Sequence, residues 1–242
     1  MKLDLFTYSN KGARELNEDS YGVINTDTCY ISVLCDGLGG HNCGEIASQT
    51  TVKSLVASLS KEKEINDQSL QNALRQANKR LLELQVSNPE QKGMRTTAVG
   101  CVLDKNLLHY FNCGDSRFYY FSNGALRAAS KDHSYPQLSV DMGTMTFDEI
   151  RFNPDRNKLL RALGESDDSV VGTIYPPIEC KPGDAFLLCS DGFWEYVLEE
   201  EMEIDLSKSQ TAEQWCKFML VRLLLKFSDA NDNFSVVAGI IG

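Results

Sequence analysis

The sequence predicts an α+β fold with largely antiparallel sheets, on three observations. Seven short apolar or alternating runs read as strands: YGVI (21–24), CYISVLC (29–35), TAVGCVL (97–103), LLHYFNC (107–113), RFYYFS (117–122), AFLLC (185–189) and SVVAGII (235–241). Most follow one another with no helix between them, which favours antiparallel pairing over parallel crossovers. The joints between them look like hairpins: DKN (104–106), and Asn123-Gly124, a pair suited to a tight two-residue turn.

Helical periodicity marks three stretches. In 43–60, Ala47, Thr51, Leu55 and Leu59 lie on one face, widened by Val52 and Val56. In 67–86 the stripe is Leu70, Ala73, Leu74, Ala77, Leu81 and Leu84. In 211–227, Thr211 and Gln214 have capping-box spacing ahead of Cys216, Leu220, Leu223, Leu224 and Phe227. All three stripes read as core packing. The segment 134–158 has two prolines and weak periodicity, with a short helix placed around Phe147 to Arg151. No linker composition or fixed-period repeat interrupts the chain, so 1–242 reads as one domain.

Bulk properties narrow the function. Lys and Arg number 24 against 34 Asp and Glu, a net charge of −10, which argues against a nucleic-acid ligand and suits a protein that neutralises acid with bound cations. The N-terminus, MKLDLFTYSNKG, has no apolar core of a secretory signal, and MLVRLLLKF (219–227) is far too short to cross a bilayer. A cytoplasmic protein without membrane insertion is the expectation. The eight cysteines (29, 35, 43, 101, 113, 180, 189, 216) show no C-x-x-C and no zinc-finger spacing, and Cys35, Cys113 and Cys189 sit inside apolar runs. Reduced, structural thiols follow.

The chemistry is carried by carboxylates. VLCDGLGGH (33–41) runs from a strand into Asp36 and a glycine-rich turn; YFNCGDSR (110–117) delivers Asp115, and FLLCSDGFW (186–194) delivers Asp191. RELNEDS (14–20) places Glu18 and Asp19 before a strand, and DANDNFS (229–235) places Asp232 before the last one. Any one of these is ordinary turn chemistry. Six carboxylates at strand ends, several beside glycine, instead read as a shared site, because strand ends distant in sequence can meet at one edge of a sandwich. Clustered carboxylates repel and need positive charge between them. Oxygen-only ligands select hard cations, Mg²⁺ or Mn²⁺, over zinc. Two such ions bridged by one carboxylate would activate a shared water, with Asp36 as the bridge and the Gly37 carbonyl as a further ligand.

These motifs in this order, R-x-x-N-E-D, D-G-x-G-G-H, G-D-S-R, S-D-G and D-N, resemble the metal-dependent protein phosphatases of the PPM (PP2C) family, bacterial members in particular. GMRTTAV (93–99), KDHS (131–134) and NKLLRALG (157–164) are also family-like, so the resemblance runs from about Ser9 to Gly242. It implies a four-layer αββα sandwich, two antiparallel sheets with helices outside. It implies two Mn²⁺ or Mg²⁺ ions and a weaker third. Asp36 would bridge; Asp191 and Asp232 would complete one ion's ligands; Glu18, through water, and the Gly37 carbonyl would serve the other. Asp19 would hold metal-bound waters, Arg14 would grip the substrate phosphate with its fork of donors, and Asp115 and Glu195 would ligate the third ion. The implied reaction is hydrolysis of phosphoserine and phosphothreonine in proteins by metal-activated hydroxide. The implied partners are phosphoproteins and a eukaryotic-like Ser/Thr kinase whose marks the enzyme removes, with the enzyme itself a monomer. An inactive phosphatase-like binding module and a phosphatase of small phosphoesters are the alternatives. Two departures stand out. Leu38 occupies the position where many eukaryotic members carry a histidine general acid, which leaves the acid unassigned, with His41 nearby. Arg95 replaces a glycine expected in the G-M-G-T-T pattern.

Overall fold

The computed structural model describes residues 1–39, 43–165, 171–228 and 231–242. In chain order its elements are β1 (Leu3–Asn10), β2 (Asp19–Asn25), β3 (Cys29–Leu38), α1 (Cys43–Leu59), α2 (Asp67–Ser87), β4 (Arg95–Thr96), β5 (Ala98–Asp104), β6 (Leu107–Cys113), β7 (Arg117–Ser122), β8 (Ala125–Ala129), α3 (Tyr135–Asp141), β9 (Thr173–Ile174), β10 (Ile178–Glu179), β11 (Ala185–Cys189), α4 (Asp191–Trp194), α5 (Glu199–Ser207), α6 (Ala212–Leu225) and β12 (Phe234–Ile241). One sheet has the order β1-β12-β11-β7-β8 and the other β10-β6-β5-β3-β2, with β4 on β3 and β9 on β6. The pairings are antiparallel throughout.

Period-two alternation sorts the strand residues into three layers of core. Along β3, Ile31, Val33 and Cys35 face Leu55, Leu70, Leu74 and Leu81 of α1 and α2. Leu34 points the other way, toward Phe118, Tyr120, Phe186, Leu188 and Val237 between the sheets. Tyr119, Phe121, Leu187 and Val236 continue outward to meet Trp215, Met219 and Leu223 of α6. The αββα layering is therefore the direct outcome of strands that are apolar on both faces. Truncating fully buried Leu34 to alanine is worth about 2–5 kcal/mol of stability.

Local signals explain the boundaries. Asn123 and Gly124 both have positive φ (54° and 74°), as a type I′ turn requires. Asn66 caps α2, its side chain accepting from Ser69 N while Ser69 Oγ accepts from Asn66 N. The capping box expected at α6 is only half formed: Thr211 Oγ1 accepts from Gln214 N (3.2 Å), but Gln214 Oε1 accepts from Gln210 N rather than from Thr211. The helix placed near Phe147 is a 3₁₀ turn over Asp148–Phe152. Among the elements outside the sequence expectations are strands β1 and β8 and helices α3 and α5. Both strands are sheet edges, where one neighbour suffices and patterning is weaker. Helix α5 begins with three glutamates, and its Glu199 and Met202 are buried.

Candidate active site

The carboxylate-bearing strand ends meet at one end of the sandwich. Asp19 and Asp36 are register partners on β2 and β3. The last residue of β11, Cys189, pairs with both Val236 of β12 and Arg117 of β7, which brings the segments carrying Asp191, Asp232 and Asp115 alongside one another. A cleft of about 440 Å³ opens there, and Arg14, Glu18, Asp36, Gly37, Asp115, Asp191 and Asp232 line it.

Backbone chemistry aims each group. The Asp36 amide donates to Thr97 Oγ1 (2.9 Å), and its carbonyl accepts from Thr96 Oγ1 (2.7 Å) and Thr97 N (2.8 Å). This pinned peptide holds the carboxylate outward. Gly37 is obligatory, because a Cβ there would stand 2.1 Å from the Gly44 carbonyl oxygen and 2.8 Å from that of Glu18. The Glu18 carboxylate reaches the first turn of α1, where the Gly44 and Glu45 amides hydrogen-bond it. Its own amide donates to Asn233 Oδ1 (2.8 Å), while Asn233 Nδ2 donates to the Lys11 and Leu16 carbonyls. Ser190 Oγ donates to Asp19 Oδ2 (2.7 Å) and accepts from Ser235 N (2.9 Å). Asp115 follows Gly114, which has φ +100°. The Gly114 amide donates to His133 Nδ1 (3.1 Å), so the neutral ring carries its proton on Nε2, facing Thr173 Oγ1 (2.9 Å). Burial holds His133 down at about 4, which keeps the ring neutral.

The electrostatics are those of an acid cluster whose negative charge exceeds the counter-charge that Arg14 and Arg117 supply. Burial, then the charges of Asp19, Asp191, Asp115 and Asp232, push Asp36 well above the ordinary carboxylate range. Burial, then Asp115, Glu195, Asp232 and Asp19, do the same to Asp191. Asp19 is raised to about 6, chiefly by burial and despite its serine hydrogen bonds. Asp115 is raised to about 7 by burial and then by Asp132. Asp19 Oδ1 and Asp191 Oδ1 are both buried without a hydrogen-bond partner. Oxygen-only donors, two of them orphaned, fit a hard divalent cation.

The carboxylates share the cleft without closing into a cage. Among the described residues no three His, Cys, Asp or Glu side chains form a ready metal-holding group. Asp232 Oδ2 accepts from Arg14 Nη2 at 2.7 Å, with the two side chains 38% and 59% exposed, so this pair is weak enough to be exchanged. Glu195 is held by both Arg156 Nε and Arg156 Nη2 (3.0 Å for the latter) and does not line the cleft. Leu38 and Asn157 also line it. His41 lies outside the described residues. Arg95 forms an ion pair with Glu165 at 3.0 Å, tying β4 to the end of the 157–164 segment. All eight cysteines are buried. Desolvation raises the Cys35 and Cys189 thiols well above their ordinary range and Cys113 to about 12.

Sequence reasoning passed over Thr96, Thr97, Ser190 and Asn233. Each stands inside or beside a motif already singled out, and each is a small polar residue buried in the interior.

Residues 8–226 match the model of the family described as Protein phosphatase 2C. The chain belongs to that family. It is 34% identical over 208 residues to the serine/threonine phosphatase stp of Listeria monocytogenes, covering 83% of this chain and 81% of that one. Among solved structures it is similar to the serine/threonine phosphatase PstP/Ppp of Mycobacterium tuberculosis, with 30% identity, a TM-score of 0.85, and coverage of 99% and 98% of the two chains. It is also similar to a PstP catalytic domain solved with two manganese ions, at 30% identity and TM-score 0.82, each chain 99% covered. The PP2C fold accounts for the two antiparallel sheets and the outer helices expected from the sequence. Among the described residues, no helix is long and apolar enough to cross a membrane.

Proposed function

We propose that this PP2C-family chain hydrolyses phosphoserine and phosphothreonine in proteins, as a single metal-dependent domain over 1–242. The observation that carries the reading is the gathering of Asp36, Asp191, Asp232, Asp115 and Glu18 around one cleft, with buried carboxylate oxygens of Asp19 and Asp191 left unpartnered. A family relative with two manganese ions supports a binuclear centre.

Asp36, Asp191, Asp232, Glu18 and the Gly37 carbonyl would hold two divalent ions, Mn²⁺ or Mg²⁺, with Asp115, and Glu195 once it exchanges its Arg156 pair, serving a weaker third. When bound, such ions neutralise the phosphoryl charge and acidify water. The chain supplies the rest. Asp19, fixed by Ser190, orients the water through Oδ1. Arg14, on the exposed lip of the cleft, exchanges Asp232 for two oxygens of the phosphate and so sets the angle of the phosphorus. The apolar side chains of Leu38 and Leu159, both on the cleft wall, flank the peptide that carries the phosphoresidue. His133 does not serve as the leaving-group acid, since its ring is turned inward and held neutral. In the cell the enzyme, a monomer, removes the marks written by a eukaryotic-like Ser/Thr kinase.

The deciding experiment is hydrolysis of a phosphothreonine peptide in parallel with EDTA, Mg²⁺ and Mn²⁺, with a sugar phosphate alongside. Metal-dependent turnover of the peptide in preference to the sugar phosphate supports the reading. Undiminished turnover after exhaustive chelation, or preference for the sugar phosphate, overturns it.

A further inference from the structure

A second cavity, of about 490 Å³, lies between β8, α3 and α5, and none of its lining residues lines the catalytic cleft. Its walls are half-buried apolar side chains: Leu126 and Ala129 from β8, Val140 from α3, and Phe147 from the following loop. In an αββα domain such side chains normally meet a covering helix. Here they face open space of the size that takes a small organic ligand.

Polar groups at this cavity have a consistent sign. Among the described residues, Lys131 is its one cationic lining residue, and it is already held by Asp141 at 2.8 Å. Against it stand Asp148, Glu199, Glu200 and Glu203. Glu199 is neutralised from behind by Arg151 and accepts from Tyr119 OH. Glu203 accepts only a backbone amide, that of Leu126 (2.7 Å). Asp148 and Glu200 are exposed and make no ion pair among the described residues. Three carboxylates therefore face the cavity without a cation. Gln137 adds an independent observation: it is only 4% exposed, lines the cavity, and its Oε1 has no hydrogen-bond donor, although its Nε2 donates to Asp141. A buried amide oxygen left without a donor is unfavourable, so a group that brings an N–H is favoured there.

We propose that this cavity is a second ligand site, specific for a small amphipathic cation: an amine or guanidine on an apolar body. The apolar body packs among Ala129, Val140 and Phe147. The cationic head sits toward Glu200, Glu203 and Asp148, within reach of Gln137 after a rotation of its amide. An anionic ligand of the same shape is rejected by the same three carboxylates. The ligand would also lean on the framework under the catalytic cleft. Phe147 stacks on the Arg117 guanidinium (4.4 Å), Arg117 stacks on Trp194 (3.5 Å), and Trp194 Nε1 donates to the Asp115 carbonyl (2.9 Å).

The test is titration of ¹⁵N-labelled, Mg²⁺-loaded protein with 4-phenylbutylamine, and separately with 4-phenylbutyrate, followed by amide shifts of Leu126, Gln137 and Val140. The amine is expected to give saturable shifts with Kd below about 1 mM, and the carboxylate none. Glu200→Lys, a surface change, is expected to weaken the amine about tenfold or more. Ala129→Phe, which fills the cavity, is expected to abolish the shifts, with an otherwise native spectrum and unchanged phosphopeptide turnover in both variants. Absence of saturable shifts, equal binding of amine and carboxylate, or undiminished binding to both variants overturns the proposal. Should Ala129→Phe fail to fold, Glu200→Lys and the amine–carboxylate contrast decide it.

Discussion

Two buried groups of charged side chains meet at Trp194, which stacks on Arg117 and donates to the Asp115 carbonyl, and they are balanced in opposite ways. Around Arg117, the guanidinium forms a bidentate pair with Asp132 (2.9 and 2.7 Å), both side chains about 1% exposed, and it is sandwiched by Phe147 and Trp194. Arg151 answers Glu199 close by. Across Trp194, the carboxylates of Asp19, Asp36, Asp115 and Asp191 form no ion pair with an arginine or lysine among the described residues, and burial and mutual repulsion outweigh the field of Arg117, so they are forced toward protonation. Desolvation acts on both groups. In the first the chain cancels it with internal partners, which makes a structural unit. In the second the cancellation is left to something from outside, which makes a site. An unbalanced buried charge marks function more sharply than burial or charge alone.

The largest effect should come from Asp36→Asn. A neutral amide cannot bridge two cations, so phosphopeptide turnover should be nearly abolished and Mn²⁺ affinity should fall sharply. The same change relieves repulsion, so the metal-free protein should melt no lower than the wild type. Asp132→Ala should behave in the reverse sense. It leaves Arg117 buried and unpaired, and breaking a buried pair in this way costs about 3–5 kcal/mol, which denaturant unfolding in EDTA would register. If Asp132→Ala were neutral for folding while Asp36→Asn unfolded the protein, the contrast between the two groups would collapse.

Arg14→Ala should be intermediate. Loss of one charge-assisted, bidentate contact is worth about 1.5–3 kcal/mol, or about ten- to a hundredfold in kcat/KM if the transition state feels it fully. Because Arg14 pairs with Asp232, its removal should not lower Mn²⁺ affinity. A parallel loss of metal binding, read by calorimetry, would make Arg14 part of the metal scaffold instead.

A smaller effect is expected from pH. Asp19 and Asp115 titrate at about 6 and about 7 in the folded chain against 3.8 ordinarily. Between those values the folded state holds protons that the unfolded chain has released. The stability of the metal-free protein should therefore fall as pH rises from about 4 to about 7, and Mn²⁺, which displaces those protons, should reverse the trend. Melting curves in EDTA that rose through this window would contradict the acid-cluster electrostatics. The least effect belongs to the thiols. Burial raises most of them and no cysteine lines the cleft, so alkylation under native conditions should leave turnover largely intact. Stoichiometric inactivation at one cysteine, with the fold unchanged, would revive a thiol mechanism.

Legibility from sequence followed range of interaction. Asp36, Asp115 and Asp191 could be read because an apolar run ending in Asp beside Gly is a local pattern, and β3, β6 and β11 formed where their alternation placed them. Edge strand β1 was hidden because Thr7 and Ser9 blunt its pattern and β12 alone supplies its ladder. The supports of the site were hidden for another reason. Thr97 serves Asp36 from 61 residues away and Ser190 serves Asp19 from 171, and no local spacing encodes such pairs. Arg95 looked anomalous for the same reason, since its partner Glu165 lies 70 residues on.

The central claim, that the acid cluster is completed by divalent cations while the Arg117 group is complete by itself, is tested most directly by calorimetric titration of Mn²⁺ into metal-free wild type, Asp36→Asn and Arg14→Ala at neutral pH. The account predicts saturable binding by the wild type and by Arg14→Ala, with proton release as Asp19 and Asp115 give up their protons, and severely weakened binding by Asp36→Asn. Binding by Asp36→Asn indistinguishable from wild type would contradict it.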